Sequence, residues 1–211
     1  MFADRAEAGR KLADRLQELA PENPVVLALP RGGVPVAVPV AERLGAPLGL
    51  ILVRKIGVPG QEELAAGAVA EGAEPVFNSD VLATIGLDPA DFGEKVAEKR
   101  AEIAERRRRY LGGRADPDLD GATAIVVDDG IATGATLRAA LLALKSRRPA
   151  RVVLAVPVAS GEALSEMAPL VDRVICLETP HPFLAVGAHY RRFPPLVDDE
   201  RVALLRPALP G

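Results

Sequence analysis

The sequence predicts an α/β fold: a doubly wound parallel sheet with a flexible flap and a small C-terminal hood. Two observations carry this expectation. Short apolar runs near positions 25, 50, 125, 153 and 175 alternate with helical patterns, as a parallel sheet with helices on both faces requires. The 211 residues, 49% hydrophobic and 26% charged, are enough to bury a substantial core, and their number favours one folded unit. The expected organisation is a core over residues 1–177, with a flap at about 54–77 and a long helix at about 88–111, followed by a hood over 178–211.

Between Ala3 and Ala20, Ala8, Leu12, Leu16 and Leu19 recur at helical spacing, and Pro21 closes the segment. Val25 to Leu29 is an apolar run bounded by Pro24 and Pro30, which reads as a buried strand. Val34 to Leu44 returns to helical spacing; Pro35 suits an opening turn, and Pro39 is expected to kink the helix. Leu48 to Val53 is the next strand, running into a charged, Gly/Pro-rich loop over Arg54–Glu63. Ala68–Ala70 and Val76–Phe77 suggest a short hairpin across 71–74. From Asp88 to Leu111 a long helix is expected, with Asp88 as N-cap, Pro89 at the first position, and Phe92, Val96, Ile103 and Tyr110 along one stripe. Arg106–Arg109 encircle its end rather than line one face, so a solvated terminus is expected there. Ala124–Val127, Arg151–Val156 and Val174–Leu177 read as the remaining core strands, with helices over Leu137–Leu144 and about Glu162–Leu170.

The third strand ends at two adjacent acids, Asp128 and Asp129, and is followed by Gly130 and then Thr133, Gly134, Ala135 and Thr136 before the helix. A loop of small and hydroxyl residues at a helix N-terminus turns backbone N–H groups toward an anion. Two carboxylates beside a bare phosphate would repel it unless they bind something else, and both a ribose diol and magnesium accept that role. The ligand expected here is a sugar phosphate. A GxxxxGK[ST] loop and a GxGxxG turn are both absent from this position. Arg31, Gly32 and Gly33, after the first strand, combine a fixed cation with glycines that permit close backbone approach, which suits a pyrophosphate group.

The stretch AIVVDDGIATGAT, residues 124–136, resembles the phosphoribosyl-pyrophosphate signature of type I phosphoribosyltransferases. Arg31-Gly32-Gly33 then matches that family's pyrophosphate loop, in which a non-proline cis peptide is frequent. The VRK, G, PG pattern containing Arg54 and Lys55 is similar to the mobile catalytic loop of adenine-type and xanthine-type members, and implies pyrophosphate-binding cations on a lid. Glu63, in the same loop, is the candidate catalytic acid. Phe183 and Val186 resemble the base-binding residues of the purine-enzyme hood. Ala132 and His189 stand where hypoxanthine-guanine enzymes carry acids, and Ala132 fits the adenine-type pattern.

The resemblance implies transfer of ribosyl 5-phosphate from phosphoribosyl pyrophosphate to a nucleobase-like acceptor, with release of pyrophosphate. Magnesium is the implied cofactor, entering with the ligand through Asp128 or Asp129 rather than at a protein-built metal site. A non-catalytic regulatory or ligand-sensing protein with the same site is the alternative.

A net charge of −3 and a pI near 5.6 give no general attraction to nucleic acid or membrane, so small-molecule partners are expected, with homo-oligomerisation left open. Cys176 is the single cysteine, and His181 and His189 have no zinc-like spacing. The N-terminal MFADRAEAGRK is charged throughout, and no run of about 18 apolar residues follows, so a soluble cytoplasmic protein is expected.

Overall fold

The computed structural model describes residues 1–112, 115–144 and 147–196, with Glu63 and Ala135 described through their backbone. Helix α1 (Arg5–Gln17) is capped by Asp4, whose side chain accepts from the Glu7 N–H. It buries Ala8, Leu12 and Leu16 of the anticipated stripe, while Leu19 lies past its end and is only partly buried. Strand β1 (Pro24–Ala28) leads into α2 (Gly33–Leu44), which ends at Gly45 in the left-handed conformation. Then β2 (Leu48–Leu50) gives way to β3 (Val53–Val58), β4 (Gln61–Ala70) and β5 (Val76–Phe77). Helix α3 (Ser79–Ile85) and a 3-10 turn (Pro89–Phe92) precede α4 (Gly93–Leu111). The core resumes with β6 (Thr123–Val127), α5 (Ala135–Leu144), β7 (Arg151–Val158), α6 (Gly161–Met167) and β8 (Arg173–Glu178).

Strands β2-β1-β6-β7-β8 form one parallel sheet in that order. Its side chains alternate between two cores, as the two-residue period of a strand dictates. Val26, Ala28, Ile125, Val127, Val153 and Ala155 face α1 and α2. Val25, Leu27, Ala124, Val126, Leu154 and Val156 face α5 and α6. Helices cover both faces, so the strands are apolar throughout rather than alternately polar.

The second sheet, β3-β4-β5, is antiparallel and lies between α4 and α5. It corrects the reading of Arg54–Glu63 as a loop: those residues form a hairpin turning at Pro59-Gly60, where Gly60 has a φ of 78°. The charges there hid a two-residue alternation, in which Ile56, Val58 and Ala66 pack toward α4 while Val53 and Ala68 pack toward α5. The hairpin across 71–74 is present, but its first strand is much longer than Ala68–Ala70.

Three further departures have local causes. Helix α3 was not anticipated; Asn78 caps it by accepting from the Asp80 and Val81 N–H groups, and Gly86 ends it at φ 67°. The long helix begins as a 3-10 turn behind Asp88, yet Phe92, Val96, Ile103 and Tyr110 are all buried as its stripe requires. Pro157 lies inside β7 rather than after it, beyond the last β6 pair at Val127–Ala155, so its missing N–H breaks no ladder on that side. At the end of α4, Arg107 forms ion pairs with Glu71 and Asp116, each at 2.8 Å, and is not simply solvated.

Candidate functional site

The order of the parallel sheet determines where a ligand can sit. From β1 the chain crosses to β2 on one side, whereas β6 lies on the other, so the loops leaving the carboxyl ends of β1 and β6 flank a topological switch point. The β1 loop carries Arg31, Gly32 and Gly33, and the peptide between Pro30 and Arg31 is cis. Arg31 is exposed, while Gly33 donates its N–H to Leu29 at 3.0 Å and opens α2. The β6 loop carries Asp128 and Asp129. The two loops touch: a methyl group added to Gly32 would lie 2.1 Å from Asp129 Oδ2, so the carboxylate fills the space any side chain would need.

The two acids differ in their surroundings. Asp128 Oδ1 accepts from the Asp129 N–H at 2.8 Å. Burial, and then the neighbouring Asp129 charge, hold the Asp128 carboxyl well above the ordinary carboxylate range. Burial also raises Asp129, against the opposing effect of Arg5, whose Nε donates to Asp129 Oδ2 at 2.8 Å. Arg5 is itself buried at 8% exposure; its Nη1 donates to the Pro194 carbonyl, and its guanidinium lies 3.7 Å from the Phe193 ring centre. Tyr190 Oη donates to the Asp129 carbonyl at 2.5 Å, and burial and the acid pair push the phenol pKa upward. Arg5 and Tyr190 were not read from the sequence as site residues. Their partner is more than 60 residues away in the chain, and no local spacing signals such a contact.

Thr133, Gly134, Ala135 and Thr136 lead into α5. Gly134 has a φ of 72°, which any side chain would disfavour, and its carbonyl accepts the Arg138 N–H at 2.8 Å. The N–H groups of the turn before that bond have no intrahelical acceptor and point out of the helix end. They border a cleft of about 500 Å³ lined by Lys55, Gly67, Asp80, Thr133, Thr136 and Arg138, among others. Asp128 and Asp129 lie outside this lining, so the cleft meets the loop from the β4 side.

Strand alternation separates Arg54 from Lys55. Lys55 faces the cleft, but Arg54 points to the opposite side of β3, where its Nε donates to Glu102 Oε2 on α4 at 2.9 Å. Burial holds the Arg54 pKa down. The Glu63 side chain lies outside the described atoms; the adjacent Glu62 pairs with Lys95. In the hood, Val186 meets the acid loop, since a methyl group at Gly130 would stand 2.6 Å from its Cγ1. The Phe183 ring stacks on His189 at 5.6 Å and 22°. His189 Nε2 is buried with no partner among the described residues. Residues 197–211 of the expected hood lie outside the described residues.

Residues 3–191 match the family model of the phosphoribosyl transferase domain. The chain belongs to that family. It is 46% identical over 205 residues to Rv0571c of Mycobacterium tuberculosis H37Rv, provisionally named a phosphoribosyl transferase; the match takes 97% of this chain and 46% of that protein. The chain thus spans about half the length of the curated relatives it matches. The crystal structure of TT1426 from Thermus thermophilus covers 100% of both chains at 42% identity with a TM-score of 0.86. A Neisseria gonorrhoeae hypothetical protein crystallised with bound ppGpp has a TM-score of 0.52 at 16% identity, over 98% of this chain and 94% of its own, and shares the fold. Within this phosphoribosyl transferase domain, the acid pair, the β1 loop and the threonine loop occupy one end of the parallel sheet.

Proposed function

We propose that the domain transfers ribosyl 5-phosphate from phosphoribosyl pyrophosphate to a ring nitrogen of a nucleobase-like acceptor and releases pyrophosphate. The observation that carries this reading is the contact of the β1 and β6 loops at the switch point, where the Asp129 carboxylate seats against Gly32. A donor bound there spans two anion-binding loops with carboxylates between them. The 5-phosphate lies at Thr133, Gly134, Ala135 and Thr136, the ribose hydroxyls at Asp128, and the pyrophosphate at Arg31, Gly32 and Gly33. Lys55 supplies the lid cation, while Arg54 anchors the lid to α4. Phe183 and Val186 border the acceptor, and Glu63 is the candidate acid.

The chemistry asks the protein chiefly to position the donor and to stabilise charge as the bond from anomeric carbon to pyrophosphate breaks. Magnesium suits this site on donor chemistry. Asp128 offers hard oxygen ligands, and a divalent cation relieves the cost of a buried carboxylate. When bound, the ion neutralises charge on the departing diphosphate. The cytoplasm, with its pool of small phosphorylated metabolites, is the compartment this reading assigns.

Ala132 favours one second reading, ligand binding without turnover, because no acid stands at that position to serve the acceptor. A single experiment separates the two: the wild-type chain is incubated with magnesium, phosphoribosyl pyrophosphate and a panel of nucleobases, and pyrophosphate release is followed alongside thermal shift. Release with any base supports transfer. A thermal shift with no release across the panel supports the binding reading, and no shift with the donor removes both.

A further inference from the structure

We infer that Arg5 is a positioning residue of the donor site, holding the Asp129 carboxylate against Gly32 so that Asp128 alone of the acid pair is presented to the sugar. The inference rests on the donor reading above. It begins with geometry: one oxygen of Asp129 is engaged by Arg5 Nε at 2.8 Å, and the same carboxylate fills the space beside Gly32. A carboxylate held in this way links the β1 and β6 loops to one another. It is poorly placed to turn toward a ribose diol as well.

Arg5 is fixed on its other sides too. Nη1 is spent on the Pro194 carbonyl at 2.9 Å, the planar face lies on Phe193, and the side chain is 10% exposed. A guanidinium offers this fork of donors together with a stacking face, which an ammonium cannot reproduce. Tyr190 completes the support by donating to the Asp129 backbone carbonyl. The acid loop is therefore held by the N-terminal helix and the hood through Asp129, and Asp128, whose Oδ1 accepts the Asp129 N–H, is the acid with no ion pair among the described residues. Two adjacent acids, identical in sequence, thereby take different tasks.

The same contacts could instead be a structural stitch between the N-terminal arm and the hood. Another ion pair makes that stitch without touching Asp129: Arg192 Nη2 to Asp4 Oδ2 at 2.7 Å. It supplies the control. Binding of magnesium–phosphoribosyl pyrophosphate is measured by calorimetry for wild type, Arg5→Met, Arg5→Lys, Asp129→Asn, Arg192→Ala and the double variant Arg5→Met/Asp129→Asn, each checked for folding by circular dichroism. The expected result is a loss of roughly tenfold or more in donor affinity for Arg5→Met, partial recovery in Arg5→Lys, and no loss in Arg192→Ala. Because Arg5 acts through Asp129, the double variant should lose no more than the worse single variant. Donor affinity unchanged in a folded Arg5→Met, equal losses in Arg5→Met and Arg192→Ala, or additive losses in the double variant would each overturn the inference. If Arg5→Met does not fold, Arg5→Lys and Asp129→Asn decide: unchanged donor affinity in both overturns it, and weakened affinity in both with Arg192→Ala unaffected supports it. A wild-type chain that binds no phosphoribosyl pyrophosphate overturns the donor reading itself, and this inference with it.

Discussion

Asp128 is held at a cost to the folded state. Burial and the adjacent Asp129 raise its carboxyl above the ordinary range, so at pH values between the ordinary and the raised pKa the ligand-free native protein retains a proton that the unfolded chain has released. Stability therefore falls as pH rises from the usual carboxylate pKa toward the raised native one, and Asp129, shifted in the same direction, adds to that slope. Asp128→Asn removes the charge and keeps the oxygen that accepts from the Asp129 N–H. We expect the ligand-free variant to be stabilised by about 1 kcal/mol near neutral pH, or about 2–4 °C in Tm, with a flatter pH dependence, and to bind the donor less well. Thermal melts from pH 4 to 8 check the sign; a Tm below wild type at neutral pH would contradict it. The acids themselves were legible in the sequence, because a strand ending in Asp-Asp before a threonine-glycine turn is a local pattern. Arg5 was not, since its meaning comes from a partner 124 positions away that only the closed fold brings near.

At the scale of the element, β3 shows how alternation assigns tasks to neighbouring residues. Arg54 and Lys55 are adjacent cations in the sequence and were read together as pyrophosphate ligands. A strand sends them to opposite faces, Arg54 to Glu102 on α4 and Lys55 to the cleft beside Thr133 and Thr136. The loop reading concealed this, because a loop has no fixed period, whereas charges and glycines are compatible with a hairpin once Ile56 and Val58 are buried. Arg54→Met should lower stability by about 1 kcal/mol, a modest figure because Glu102 is partly solvated. Lys55→Met should weaken donor binding, because its side chain borders the cleft beside Thr133 and Thr136. Paired chemical denaturation and donor titration of the two variants test the division. Weakened donor binding in Arg54→Met with full binding in Lys55→Met would reverse it.

For the whole molecule, the five-strand order was within reach of the sequence only as a class. Apolar runs alternating with helices announce a parallel sheet, but they do not say that β6 pairs beside β1, which is what brings the two loops together. Nor do they reveal how the N-terminal arm meets the hood. Phe2 is 1% exposed, its ring lies 5.5 Å from that of Tyr190, and its N–H donates to the His189 carbonyl. The Arg191 and Arg192 N–H groups donate in turn to the Phe2 and Ala3 carbonyls, so the N-terminal arm acts as a backbone splint for the hood. Phe2→Ala empties that pocket at a cost of about 3 kcal/mol, the low end for a buried phenylalanine because Phe2 packs in a small cluster with Ala8, Val158 and Tyr190 rather than in the main cores. If arm and hood open together as a local unit, hydrogen exchange at Arg191 and Arg192 should accelerate far more than at β1 residues Val25 to Ala28, whose strand is paired on both sides. An equal loss of protection at both sets would mean that Phe2 supports the domain only globally. The hood would then open only together with the rest of the domain.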